Sequence, residues 1–217
     1  ASDVYKRQDS GFTLGINDGV NGVGNNYVAW NFQAAEGYFD FIKYSGDGAN
    51  PRTIPHGLSV KPGMVIWKAT NQSQGWFIYH SSLNVTNGIP DQFLKFTQET
   101  PYSDSGRLKG VPDENSLYVS SDSEVNASGT EYIAYLFAED VPGIIKCGSY
   151  VGVNGDASIQ TPGWTPQWIL IKNITSAGTN WAVFDSVRGG DNAQLMPNVK
   201  DAEISGGPVV MFENGFS

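Results

Sequence analysis

Short stretches of alternating apolar and polar residues run the length of this chain, each closed by Gly, Asn, Asp or Pro. Period-two alternation sends successive side chains to opposite faces of a strand. Residues 27–32, with the large rings of Trp30 and Phe32 on one face, read as such a strand, and residues 132–137 repeat the pattern. Residues 64–68 and 168–172 are apolar runs just after a proline, and residues 76–79 and 181–184 are aromatic runs after polar turns. Residues 39–44 and 144–150 read likewise. Asn21-Gly22, Asp47-Gly48, Asn87-Gly88, Asn154-Gly155 and Gly189-Gly190 are turn signals, because these residues adopt positive φ at little cost. No stretch keeps apolar residues at helical spacing over three turns. The pattern predicts an all-β protein of β-sandwich, jelly-roll or lectin-like units.

The strands also recur. Val20-Asn21, Gly24, Tyr27-Val28-Ala29-Trp30 and Phe32 return 105 positions on as Val125-Asn126, Gly129, Tyr132-Ile133-Ala134-Tyr135 and Phe137. Tyr44-Ser45-Gly46 returns as Tyr150-Val151-Gly152, 106 on, and the segment from Pro62 to Lys68 returns from Pro166 to Lys172, 104 on. Trp76 to Tyr79 matches Trp181 to Phe184. Asp9 to Phe12, Glu114 to Leu117 and Glu213 to Phe216 open successive copies. The duplication predicts tandem units of about 100 residues, the size of one domain. They span residues 9–112 and 113–212, with a third beginning at 213–217. One larger two-sheet domain drawing on both halves is the alternative. Residues 1–8 match a translated sequencing adaptor and are expected to stand outside the fold.

Charge changes the picture by exclusion. The net charge is -9, from 22 acidic and 13 basic residues. Nucleic acid is excluded as the main partner, since no basic stripe is available to displace phosphate counterions. No apolar run reaches the roughly 20 residues of a membrane helix, so insertion is not expected. The lone Cys147 has no histidine among its neighbours and reads as a structural thiol.

Catalytic chemistry finds no support. His80 falls opposite Asp185 and His56 opposite Pro162, so neither histidine is required by both copies, and both are expected to be dispensable. Ser81, Ser82 and Ser186 lack a nucleophile-elbow motif, and no clustered glucanase-type carboxylates occur. Two histidines and one cysteine make no zinc pattern. Asn17-Asp18-Gly19 and Asp122-Ser123-Glu124 are matched oxygen-rich steps, read as solvated loops in preference to calcium sites. No cofactor, metal or catalytic residue is assigned. Trp76 and Trp181 occupy matched positions and are expected in the core. Trp164 lies in a loop flanked by Pro and Gly. It is the aromatic expected to stack on a ligand, with Asp156 as a polar neighbour.

Taken together, the runs at 11–15, 20–32, 44–48, 54–66 and 180–189 resemble an uncharacterised repeat domain of tail-fibre and other virion proteins of tailed phages, notably marine ones. The resemblance covers nearly all of residues 9–217 and carries no established catalytic residues. It implies a virion surface component, and the function expected of it is a non-enzymatic structural spacer, with host-cell surface glycan as a candidate ligand. Its partners would be other virion subunits, with a homotrimer as one candidate assembly. The alternative is a carbohydrate-binding module of a secreted bacterial protein, which would be extracellular.

Overall fold

The computed structural model describes residues 5–8, 11–97, 102–103, 106–153, 159–188 and 193–217, which fall into two compact units, 1–32 and 33–217. In the first unit, β1 (Tyr5–Gln8) pairs antiparallel with β2 (Gly11–Leu14), so residues 5–8 do not stand outside the secondary structure as expected. One helical turn, α1 (Asp18–Asn21), follows. The Asn17 side chain starts this turn by accepting the Gly19 N–H at 2.8 Å. The Tyr27 hydroxyl closes it, accepting the Gly22 N–H and donating to the Asp18 carbonyl. Residues 27–32 form no strand, contrary to expectation, and Tyr27, Val28, Trp30 and Phe32 are all more than 40% exposed (45%, 47%, 43% and 43%).

The second unit opens with β3 (Phe39–Ser45), β4 (Arg52–Pro55), β5 (Pro62–Ala69) and β6 (Phe77–His80). Four two-residue strands follow: β7 (Val85–Thr86), β8 (Ile89–Pro90), β9 (Gln92–Phe93) and β10 (Tyr102–Ser103). Then come β11 (Ser116–Val119), β12 (Glu131–Ala138), β13 (Asp140–Val141) and β14 (Ile145–Lys146). The series ends with β15 (Trp168–Lys172), β16 (Trp181–Asp185), β17 (Met211–Phe212) and β18 (Gly215–Phe216).

The main sheet is antiparallel, in the order β3-β12-β5-β6. Alternation along β12 and β5 buries Tyr132, Ala134 and Leu136 beside Val65, Trp67 and Ala69. This face packs against Ile54, Leu117 and Val119 of the β4–β11 pair, giving a sandwich-like core. Its margin holds a buried carboxylate. Glu124 meets Lys95 and Arg107, each at 2.6 Å, and both cations lie over the Phe93 ring. The main sheet draws on both halves of the chain. β12, from beyond the expected boundary at residues 111–113, lies between two strands from before it. The units 9–112 and 113–212 are therefore not self-contained. Hairpin turn signals are local and mark strand ends, but they do not specify which distant strand a sheet edge accepts.

Two hairpins share a register. In β5–β6, Met64 faces His80 and Val65 faces Tyr79. In β15–β16, Trp168 faces Asp185 and Ile169 faces Phe184, which are the matched positions. An outer bridge joins Ile78 to Leu94 in one case and Val183 to Leu195 in the other. The turn before β12 repeats the one before residue 27. Asp122 accepts the Glu124 N–H, and the Tyr132 hydroxyl accepts the Ala127 N–H and donates to the Ser123 carbonyl. The two hairpins pack together through Ile78, Leu83, Leu94 and Trp181, and the Trp181 indole donates to the Lys95 carbonyl at 3.1 Å.

Candidate binding and assembly site

Trp164, the expected stacking residue, is half-buried in a bend, and its expected neighbour Asp156 lies outside the described residues. Trp181 is buried as expected, whereas Trp76 is only half-buried, stacked on Tyr135 and edge-on to Phe96. With Thr97, Pro197 and Asn198, Trp76 and Phe96 line an open cleft of about 360 Å³. The Asn198 amide is fixed at the rim. Its oxygen accepts the Trp181 N–H and its nitrogen donates to Asn180. An aromatic wall beside an oriented amide can stack on a sugar ring and bond a hydroxyl. The sequence signal for this cleft was the aromatic run at 76–79.

The remaining candidates have local structural duties. His56 bonds the Asp113 carbonyl through Nε2 and accepts the Leu58 N–H on Nδ1. His80 Nδ1 accepts the Ser82 N–H. The matched Asp185 accepts the Val187 N–H, two residues on, in the same way. Each side chain thus supplies an acceptor at the end of the second strand of its hairpin, so His80 is not idle in the fold as expected. Burial lowers the pKa of both histidines, so both are neutral at pH 7. Burial also pushes the Cys147 thiol up to about 12, well away from a reactive thiolate. In the loop weighed for calcium, Asp122 and Glu124 are committed to backbone and to Arg107 and Lys95. Asn126 is fully buried, bonded to Asp47, Ala49 and Arg52.

A larger cavity, about 570 Å³, lies in residues 150–217. Tyr150, Ile171, Ala182, Phe184 and Phe216 are among its walls. Their matched positions are Tyr44, Trp67, Phe77, Tyr79 and Leu117, all in or against the sandwich core. The matched backbone pairing is present as well: Gln160 bridges Phe216 as Ile54 pairs with Leu117. The cavity therefore occupies the place where β12 and residues 122–127 fill the core around β3–β6. Among the described residues β15 forms a two-stranded sheet with β16. Residues 147–150, matched to part of β3, form no strand, although one was expected over 144–150. The reason is visible in the main sheet, where β3 is an edge strand whose ladder partner is β12.

Fold and site together define an all-β protein of antiparallel sheets, with a recurring hairpin and no assigned chemistry. The chain belongs to the family described as Domain of unknown function (DUF7483), which it matches over residues 1–217. No curated protein and no solved structure matched it.

Proposed function

We propose that this chain is a non-enzymatic, repeat-built segment of a phage virion, a tail or fibre spacer that also makes weak contacts with host-surface glycan. The observation that carries the reading is the recurrence of one hairpin and one turn motif at matched registers. What is kept serves the backbone, and the side chains with acid–base chemistry, His80 and Asp185, differ yet do the same capping work. Repeats that bury one another's faces suit an extended element in which length is the product. The Trp76–Phe96 cleft and the Trp164 bend are the glycan contacts, each weak alone and strengthened by repetition along an array. A glycan array probed with the intact protein, Trp76→Ala and Trp164→Ala tests the contact, alongside a hydrolysis assay on the bound sugars. Binding weakened by either change, without hydrolysis, supports the reading. Turnover of a glycan abolished by a single carboxylate substitution would overturn it.

A further inference from the structure

We propose that the Met196 thioether is a site of oxidation by peroxide, and that its sulfoxide releases Asn198 from the rim of the Trp76–Phe96 cleft. This deepens the glycan reading, on which the role of the cleft rests, by giving the contact a redox control.

The sulfur ends a chain of hydrogen bonds. The Trp181 backbone N–H can only donate, so the Asn198 side chain turns its oxygen to it, at 2.9 Å. The Asn198 nitrogen is thereby aimed at the Asn180 oxygen, 2.8 Å away. That leaves the Asn180 nitrogen to donate to the Met196 sulfur, at 3.2 Å. Each amide is oriented by the one before it, and the last acceptor is a thioether, a weak one. Trp181 anchors the other end, buried and bonded through its indole to the Lys95 carbonyl. Asn198 lines the cleft with Trp76, Phe96 and Pro197, so the state of the sulfur reaches the cleft through two amides.

The three methionines have different settings. Met64 lies within β5, facing Phe137 and His80, and packs against the cluster of Ile78, Leu83, Leu94 and Trp181. Met211 is buried in the cluster of Ile169, Phe184 and Val209. Met196 is half-buried and, among the described residues, stands outside all three core clusters. It follows the bridged Leu195 and opens a turn in which its carbonyl accepts the Val199 N–H at 3.2 Å. In the other hairpin the bridged residue is Leu94, and Lys95 follows it. The hairpin itself therefore does not call for methionine at this place.

The chemistry is an oxygen transfer. A sulfur lone pair attacks one peroxide oxygen, and the S–O bond forms as the O–O bond breaks. The second oxygen leaves as water, taking the proton of the transferred oxygen, or as the alcohol where the peroxide is organic. Sulfur is oxidised by two electrons and the peroxide is reduced. In the sulfoxide the sulfur carries partial positive charge and stops accepting, and the acceptor is now the new oxygen, one S–O bond farther out. An N–H···O bond needs about 2.9 Å of its own, so the Asn180 nitrogen cannot keep its position. When Asn180 turns, Asn198 loses the partner that aims it. The cleft then keeps its aromatic wall and loses its oriented amide.

The test starts with limited hydrogen peroxide on the full chain, read by peptide mass spectrometry. Met196 should oxidise at least about threefold faster than Met64, with Met211 slowest, as access to the sulfur dictates. Amide NMR should show the Trp181 backbone N–H and the Asn198 side-chain amide shifting in step with that oxidation. Met196→Leu keeps the bulk without an oxidisable sulfur, and the same peroxide should leave both of its signals in place. For a glycan whose binding Trp76→Ala weakens, peroxide should cut the wild-type signal at least about threefold, the effect of one lost hydrogen bond, and spare that of Met196→Leu. Earlier oxidation of Met64 or Met211 overturns the site. Signals that stay put once Met196 is oxidised, the same shifts in Met196→Leu, or a glycan signal that survives full oxidation overturn the release of Asn198. If no glycan depends on Trp76, the cleft reading fails, while mass spectrometry and NMR still decide the oxidation and the release.

Discussion

The hairpins β5–β6 and β15–β16 share a register and differ in what lies along their outer edge. Beside β5 stands β12, and the face behind it is closed: Val65 and Trp67 are 0% exposed. Beside β15 stands no strand among the described residues, and the face behind it opens into a cavity. The same contrast holds for the two matched tyrosines, with Tyr132 buried and Tyr27 exposed although their hydroxyls make matched bonds. Hairpins and turns of this chain are thus encoded locally, and closure of the sandwich depends on a strand from far along the sequence. Paired substitutions at matched positions measure how much that strand contributes.

The largest difference is expected at the glycines. Gly46→Ala drives a Cβ into backbone and should cost about 3 kcal/mol or more, the upper range for overpacking a rigid contact. Gly152→Ala, with no described atom within 4 Å of the new Cβ, should change the unfolding free energy by under about 0.5 kcal/mol, as for an unconstrained surface site. Equal effects would remove the distinction between closed and open hairpins. Next come the tyrosines. Tyr132→Phe orphans the Ala127 N–H and the Ser123 carbonyl next to the core, at about 2 kcal/mol. In Tyr27→Phe water takes over the same bonds, and the cost should stay under about 0.5 kcal/mol. Urea unfolding of both variants at a concentration where the chain is monomeric checks this.

The hairpins and their turns were legible because alternation and Gly or Asn punctuation act over a few residues. Residues 27–32 were read as a strand on side-chain pattern alone. The pattern is that of β12, but a strand forms only where its backbone groups find a ladder. The same cause shortened the expected strand at 144–150 to β14. The boundary at 111–113 failed because a repeat in sequence fixes a period and leaves the phase of the folded unit open. Of the candidate site, Trp164 was chosen for its loop and proves half-buried, while the Trp76 cleft is assembled by Phe96 and Asn198 from distant positions. A usable signal was present in Gly46, a glycine two residues after Tyr44 where the Ala127 carbonyl makes a close backbone approach.

The smallest expected effect separates His80 from Asp185, which hold matched N–H groups with different chemistry. Burial lowers the His80 pKa, partly offset by the nearby Glu139 charge, and burial likewise lowers that of His56. The unfolded chain, with histidines near 6.5, therefore takes up protons first as pH falls. Stability is full above that value and declines as pH drops through it toward the lower folded pKa, because a protonated Nδ1 cannot accept the Ser82 N–H. For Asp185, burial acts upward, but the Arg188 hydrogen bonds and charge outweigh it and hold the pKa below 3.8. Its acceptor therefore survives to lower pH than an ordinary aspartate would. Urea unfolding should show wild type losing on the order of 1 kcal/mol between pH 7.5 and pH 5. His80→Asn keeps an acceptor that does not titrate, and with His56→Asn it should flatten that slope while leaving stability at pH 7.5 within about 0.5 kcal/mol. A decline of the same size in the double variant would place the pH sensitivity on other groups. It would also leave His80 and Asp185 indistinguishable as caps.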